Sequence, residues 1–126
     1  MALIHDTPRT FHPVARVEDD GTFNDNPSAY HPVGRCDSDG LVHDTVTGFH
    51  PVGHVEPNGM VHDMPFQYHP IGRIERDGII HAHPYQNRPV GHVDSHDPYL
   101  LEPTELAGAA YFLLLRNRDR KRVLVP

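Results

Sequence analysis

The chain has a single cysteine, no tryptophan and few aromatic residues, five Tyr and five Phe among 126 residues. One cysteine excludes an intramolecular disulfide framework. Residues 1–6 lack the basic start and long apolar run of a secretory signal, so the expectation is a cytoplasmic protein. The longest uncharged apolar stretch, residues 106–115, is about half of what a bilayer-spanning helix needs, which argues against transmembrane insertion. Thirteen Pro and ten Gly interrupt the chain too often for a helical bundle and favour short strands joined by turns. The length suits one domain with a tail. We divide it into a repeat domain, residues 1–97, and an apolar C-terminal segment with a basic tail, residues 98–126.

Positive charge is scarce where the length is. Residues 1–115 carry six Arg against sixteen Asp and Glu, whereas Arg116, Arg118, Arg120, Lys121 and Arg122 face only Asp119 in the last eleven. An acidic body repels phosphates, so nucleic acid is not an expected partner. The tail reads as a solvated helix end whose cations suit the negative end of the helix dipole.

What the chain has instead is a repeat of nineteen residues. His12-Pro13-Val14, His31-Pro32-Val33, His50-Pro51-Val52, His69-Pro70-Ile71 and Arg88-Pro89-Val90 are evenly spaced. Between them stand Thr22-Phe23-Asn24-Asp25, Leu41-Val42-His43-Asp44, Met60-Val61-His62-Asp63 and Ile79-Ile80-His81-Ala82, each behind a Gly, with a further copy at the front as Leu3-Ile4-His5-Asp6. Runs this short are strands, not helices. Asp20-Gly21, Asp39-Gly40, Asn58-Gly59 and Asp77-Gly78 supply positive φ at a tight turn, so each repeat is a β-hairpin. Pro opens each hairpin, where its missing N–H costs least.

Three apolar columns predict the core: Val14, Val33, Val52, Ile71, Val90; Val17, Cys36, Val55, Ile74, Val93; and Ile4, Phe23, Val42, Val61, Ile80. An aromatic column, Phe11, Tyr30, Phe49 and Tyr68, is expected to seal the junctions between hairpins. Cys36 replaces Val in its column and reads as a buried thiol. The chain starts with a second strand and its last unit, 90–93, is a first strand without a mate. Pairing residues 3–6 with 90–93 completes five hairpins and removes both sheet edges. The fold class is therefore all-β, five 19-residue hairpin repeats closed end to end, with a short apolar C-terminal helix; an open solenoid is the competing architecture.

The pattern apolar-Gly-x-apolar, a short loop ending in Gly, then x-apolar-x-Asp, as in Val33-Gly34-Arg35-Cys36 through Gly40-Leu41-Val42-His43-Asp44, resembles bacterial beta-flower repeat proteins. The resemblance covers residues 3–93 and implies a symmetric arrangement of β-hairpins with no enzymatic role. It departs from that family in offering five units where fourfold symmetry is the rule, and in its His-Pro element.

After the repeats, Thr104 and Glu105 suit a helix start, and residues 111–115 fit either helix or strand. Leu106, Tyr111, Phe112, Leu113, Leu114 and Leu115 leave no polar stripe. They either plug the repeat domain or form an assembly surface against a second copy or a protein partner. Twelve His are the one chemical oddity. Imidazole ligates zinc or nickel, and the candidate ligands are His81 and His83, two apart on one strand face, with His43 and His62; a structural role for the same columns is the simpler account. No catalytic motif occurs, and equivalent repeats do not build one asymmetric catalytic site. The function expected is a non-enzymatic structural or interaction module that assembles or scaffolds a partner; the alternative is a His-rich divalent metal-binding protein.

Overall fold

A computed structural model describes residues 1–94 and 99–116. The basic tail beyond Arg116 and the junction at 95–98 lie outside the described residues. Ten strands form one closed antiparallel barrel, each beside its neighbours in the sequence and the last beside the first. Five run long, β2 (Pro13–Val17), β4 (Pro32–Cys36), β6 (Pro51–Val55), β8 (Pro70–Ile74) and β10 (Pro89–Val93). Five are shorter, β1 (Ala2–His5), β3 (Thr22–Asn24), β5 (Leu41–His43), β7 (Met60–His62) and β9 (Ile79–His81). The barrel closes where the register predicts. Ile4 lies opposite Val93 and His5 opposite His92, and the Asp94 N–H donates to Leu3 O at 3.1 Å.

Tight turns gather at one end of the barrel and seven-residue loops at the other. At the turn end the Gly21 N–H donates to Glu18 O at 2.9 Å, and Gly21 takes a φ of +92°. Space imposes glycine as well, since a Cβ there would stand 2.2 Å from Cys36 O, the residue whose N–H donates to Gly21 O at 2.9 Å. Each turn is thus pinned by the next hairpin.

The columns starting at Val17 and Ile4 face inward and are buried, apart from a partly exposed Cys36. The column starting at Val14 is only half-buried. Strand alternation puts its neighbours Ala15, Gly34, Gly53, Gly72 and Gly91 inside instead. Those small residues make room for a helix. α1 (Pro103–Ala110) is capped by Glu102, two residues before Thr104, with Glu105 accepting the Glu102 N–H at 3.2 Å and Pro103 in the first helical position, where no N–H is needed. It runs into the barrel from the turn end and continues as a π-helical segment, Tyr111–Arg116, whose Arg116 reaches Asp6 at the loop end, N···O 3.6 Å.

The π-helical segment matches the barrel's repeat. A Cβ on Gly91, Gly72, Gly53 or Gly34 would meet Phe112, Leu113, Leu114 and Leu115 in turn, at 2.7 to 3.1 Å. Tyr111 falls on the first repeat, its ring 5.5 Å from that of Phe23. Successive plug residues therefore address successive hairpins. A helix closing its hydrogen bonds on the fifth residue advances roughly a fifth to a quarter of a turn per residue, close to the angle between repeats in a fivefold ring. An α-helix, at 3.6 residues per turn, would slip out of step. The residues offered by the sequence for assembly, Tyr111 through Leu115, are buried inside the same chain, and Leu106 is half-buried at the turn end. No helix among the described residues is long and apolar enough to cross a membrane.

Candidate functional site

Each repeat carries a polar network in the barrel wall, and four of the five carry a second on the loops. In the wall, a buried side chain ends each short strand: His5, Asn24, His43, His62 and His81. Each follows an inward-facing residue, so strand alternation turns it away from the interior, opposite the long strand's Arg or His, with a register shift beside it. Every one of these side chains makes the same two contacts. Nδ1 of His5, His43, His62 and His81 accepts the backbone N–H of His12, His50, His69 and Arg88 at 3.0 to 3.1 Å. Nε2 faces Asp94 at 2.9 Å, Asp37 at 2.8 Å, Glu56, and Glu75 at 3.3 Å.

Asn24 repeats the arrangement with an amide. Its Oδ1 accepts the His31 N–H at 2.8 Å and its Nδ2 donates to Glu18 at 3.2 Å. Because an amide can do this only with oxygen accepting and nitrogen donating, the equivalent imidazoles carry their proton on Nε2. They are neutral clamps that fasten the loop to the wall. Burial first, then the guanidinium of Arg73, lowers the pKa of His81 below the ordinary value and holds it neutral. Desolvation raises the pKa of Asp37, but its contacts with His43 and then Arg35 outweigh that and leave it below the usual carboxylate range.

The tautomer bears on which wall imidazoles could ligate a metal. His5, His92 and Asp94, and likewise His54, Glu56 and His62, place potential ligand atoms within 4.8 Å of one another. The paired rings stack at 4.1 and 4.2 Å. Yet Nε2 of His5 or His62 could bind a cation only by giving up its proton while Nδ1 keeps accepting an N–H, so no neutral ring serves both. The same holds for His43 and His81. His83 lies past the end of β9, and its Nδ1 accepts the N–H groups of Tyr85 and Gln86 at 3.0 and 2.9 Å. The alternation that would put His81 and His83 on one face therefore does not apply. Arg35 and Arg73 cap loop carbonyls, Arg35 those of Thr45, Val46 and Gly48 and Arg73 those of His83 and Gln86; His54 and His92 cap Met64 O and Thr7 O.

The loops carry the opposite arrangement. His12, His31, His50 and His69 each direct Nδ1 at the carboxylate of Asp6, Asp25, Asp44 and Asp63, with side chains 64–68% exposed. The Asp after four of the five short strands thus orients a ring six residues on, whereas β9 is followed by Ala82 with Arg88 at the ring's position. Beside them stand the aromatics. Phe11, Phe49 and Tyr68 lie against the buried His5, His43 and His62, with ring centroids 5.0, 5.3 and 4.7 Å apart. They do not seal the hairpin junctions: with Tyr30 they are 66–77% exposed, and Phe66 and Tyr85 add to the same end. The Tyr68 and Tyr85 hydroxyls approach to 3.5 Å, which raises the pKa of Tyr68.

Charge separates the two ends. The turns carry Glu18, Asp19, Asp20, Asp37, Asp39, Glu56, Glu75, Asp77 and Asp94 against Arg76, whereas the loop end pairs its four Asp with His and adds Arg9 and Arg88. Cys36 is no nucleophile, its pKa pushed up to about 12 by burial, then by Asp37 and Asp39. No family model matches this chain, and no curated protein or solved structure does. The class defined by fold and surface is a closed β-hairpin repeat barrel, plugged by its own helix, with an aromatic loop end.

Proposed function

We propose that this protein is a non-enzymatic assembly module that associates with a second copy through the loop end of the barrel. The observation that carries this reading is the concentration of exposed aromatic side chains, Phe11, Tyr30, Phe49, Phe66, Tyr68 and Tyr85, on loops held by buried clamps. Aromatic residues on a fixed scaffold dominate protein contacts because they bury a large area at little entropic cost. A second copy suits the charge distribution. Loop end against loop end keeps the acidic turn ends apart, and the contact is self-complementary, as a twofold interface must be. The plug residues are occupied within the chain, so association moves from the C-terminal segment to the loops.

Sedimentation velocity of the full chain with chelator present tests this over a hundredfold range of concentration. Mass should rise with concentration and stay monomeric in a Phe49→Ser/Phe66→Ser/Tyr68→Ser variant with an unchanged melting temperature. A wild type that remains monomeric throughout, or an assembly indifferent to the triple change, overturns the reading.

A further inference from the structure

The exposed imidazoles have the protonation pattern that the buried ones lack. In His12, His31, His50 and His69, Nδ1 carries the proton, because it faces a carboxylate that can only accept. The lone pair is therefore on Nε2, in a side chain about two-thirds exposed. Imidazoles that ligate metals almost always donate their other N–H to a carboxylate or carbonyl, which fixes the tautomer and makes the ligating nitrogen more basic. Binding a cation here breaks no bond and expels no proton, unlike binding at His5, His43, His62 or His81.

We infer that these four residues are ligands for a first-row divalent cation of the zinc type, shared between two copies of the chain. Four of the five repeats contribute one such nitrogen, the fifth having Arg88 in its place, and none of the four belongs to a group of three potential ligands among the described residues of one chain. A zinc ion asks for about four donors, so its remaining ligands come from the facing copy and from water. The inference rests on the loop end being the face of association, and it assigns that face a chemical signal. Cation binding would couple association to metal supply, whereas the aromatic contact alone would depend on concentration only. The Asp partners act at one remove, by positioning and by basicity.

Zinc chloride is the probe, added to the full chain at about pH 7.5, where imidazole is mostly neutral. The expected result is a rise in sedimenting mass on adding zinc and its reversal by chelator. A His12→Gln/His31→Gln/His50→Gln/His69→Gln variant should lose the zinc response and keep the melting temperature and metal-free behaviour of the wild type. Asp25→Asn/Asp63→Asn retains all four imidazoles, and should raise the zinc concentration at half-response by about tenfold to a hundredfold, the usual effect of removing such a partner. Absence of a zinc response in the wild type overturns the inference, as does a response that survives the fourfold change. The two readings fail separately: association with chelator present and indifferent to zinc leaves the aromatic contact standing alone, whereas association only with zinc, through His, leaves the cation standing alone.

Discussion

Inside the barrel five repeats meet one helix, whereas on the wall and loops each repeat meets only its neighbour, and the copies differ accordingly. The inward small-residue column admits only Gly or Ala, because four of its members face four different plug residues at contact distance. The wall column accepts His or Asn, and the column opposite it accepts Arg or His, because different groups can make the same hydrogen bonds. Volume is a shared constraint in the interior; donor and acceptor pattern is a local one outside. Substitutions should therefore be costly and collective within, cheap and confined to one repeat without.

The strongest way to break this contrast is Ile4→Asp. Ile4 is fully buried beside the closing pair, and an unpaired carboxylate there should cost more than about 4 kcal/mol and open the ring. Urea denaturation would show it as a chain unfolded, or nearly so, in buffer. Phe112→Ala, which removes the plug's contact with the fifth repeat at Gly91, should cost about 3–5 kcal/mol by the same measurement. Gly53→Ala sharpens the volume argument, since its Cβ would stand 2.4 Å from His62 O and 2.7 Å from a Leu114 methyl. We expect a loss of about 1–3 kcal/mol, as overpacking brings.

Outside, His81→Asn copies what Asn24 already does and should change stability by less than about 1 kcal/mol at pH 7.5. Its effect should appear on acidification. The folded pKa of His81 is lowered, so the unfolded chain takes up the proton first, and stability present above the unfolded value of about 6.5 is lost as pH falls through it and on toward the folded pKa. Melting temperatures compared at pH 7.5 and 5.5 should fall less in the variant than in the wild type; an equal fall would refute the neutral clamp at that position. The smallest effect belongs to the loops: Asp63→Asn weakens an exposed hydrogen bond from His69 and should cost less than about 1 kcal/mol.

How much of this the sequence shows depends on which forces leave a periodic trace. The nineteen-residue spacing and the turn glycines are legible because each is a local rule copied along the chain, and the match of 3–6 with 90–93 is legible because it completes the one unit left without a mate. Closure follows from the count of strands. The π-helical segment leaves no such trace. Tyr111 through Leu115 are all apolar because each faces a different wall, so the one-sided periodicity that marks an ordinary helix is missing. The inward glycines read as turn or strand irregularities until the helix that needs the space is present. The histidine columns are visible in the sequence, but their roles are not. Which nitrogen carries the proton depends on bonds between residues six or seven apart and across strands, and that alone separates the clamps from the exposed rings.

The stepwise match between plug and barrel also bears on how the chain reaches this state. A helix that presents one side chain to each of five similar walls can be seated in five rotational settings, and four of those differ mainly in where Tyr111 and Phe112 fall. The distinction rests on a few irregular contacts: Phe23 against Tyr111, Gly108 against Val93 and Arg116 against Asp6. A wrongly seated plug would be compact and slow to leave, because turning would require withdrawal from the ring. Refolding should accordingly show a slow phase that lengthens when those contacts are removed, a kinetic cost that the symmetry of the repeats imposes on the chain that carries them.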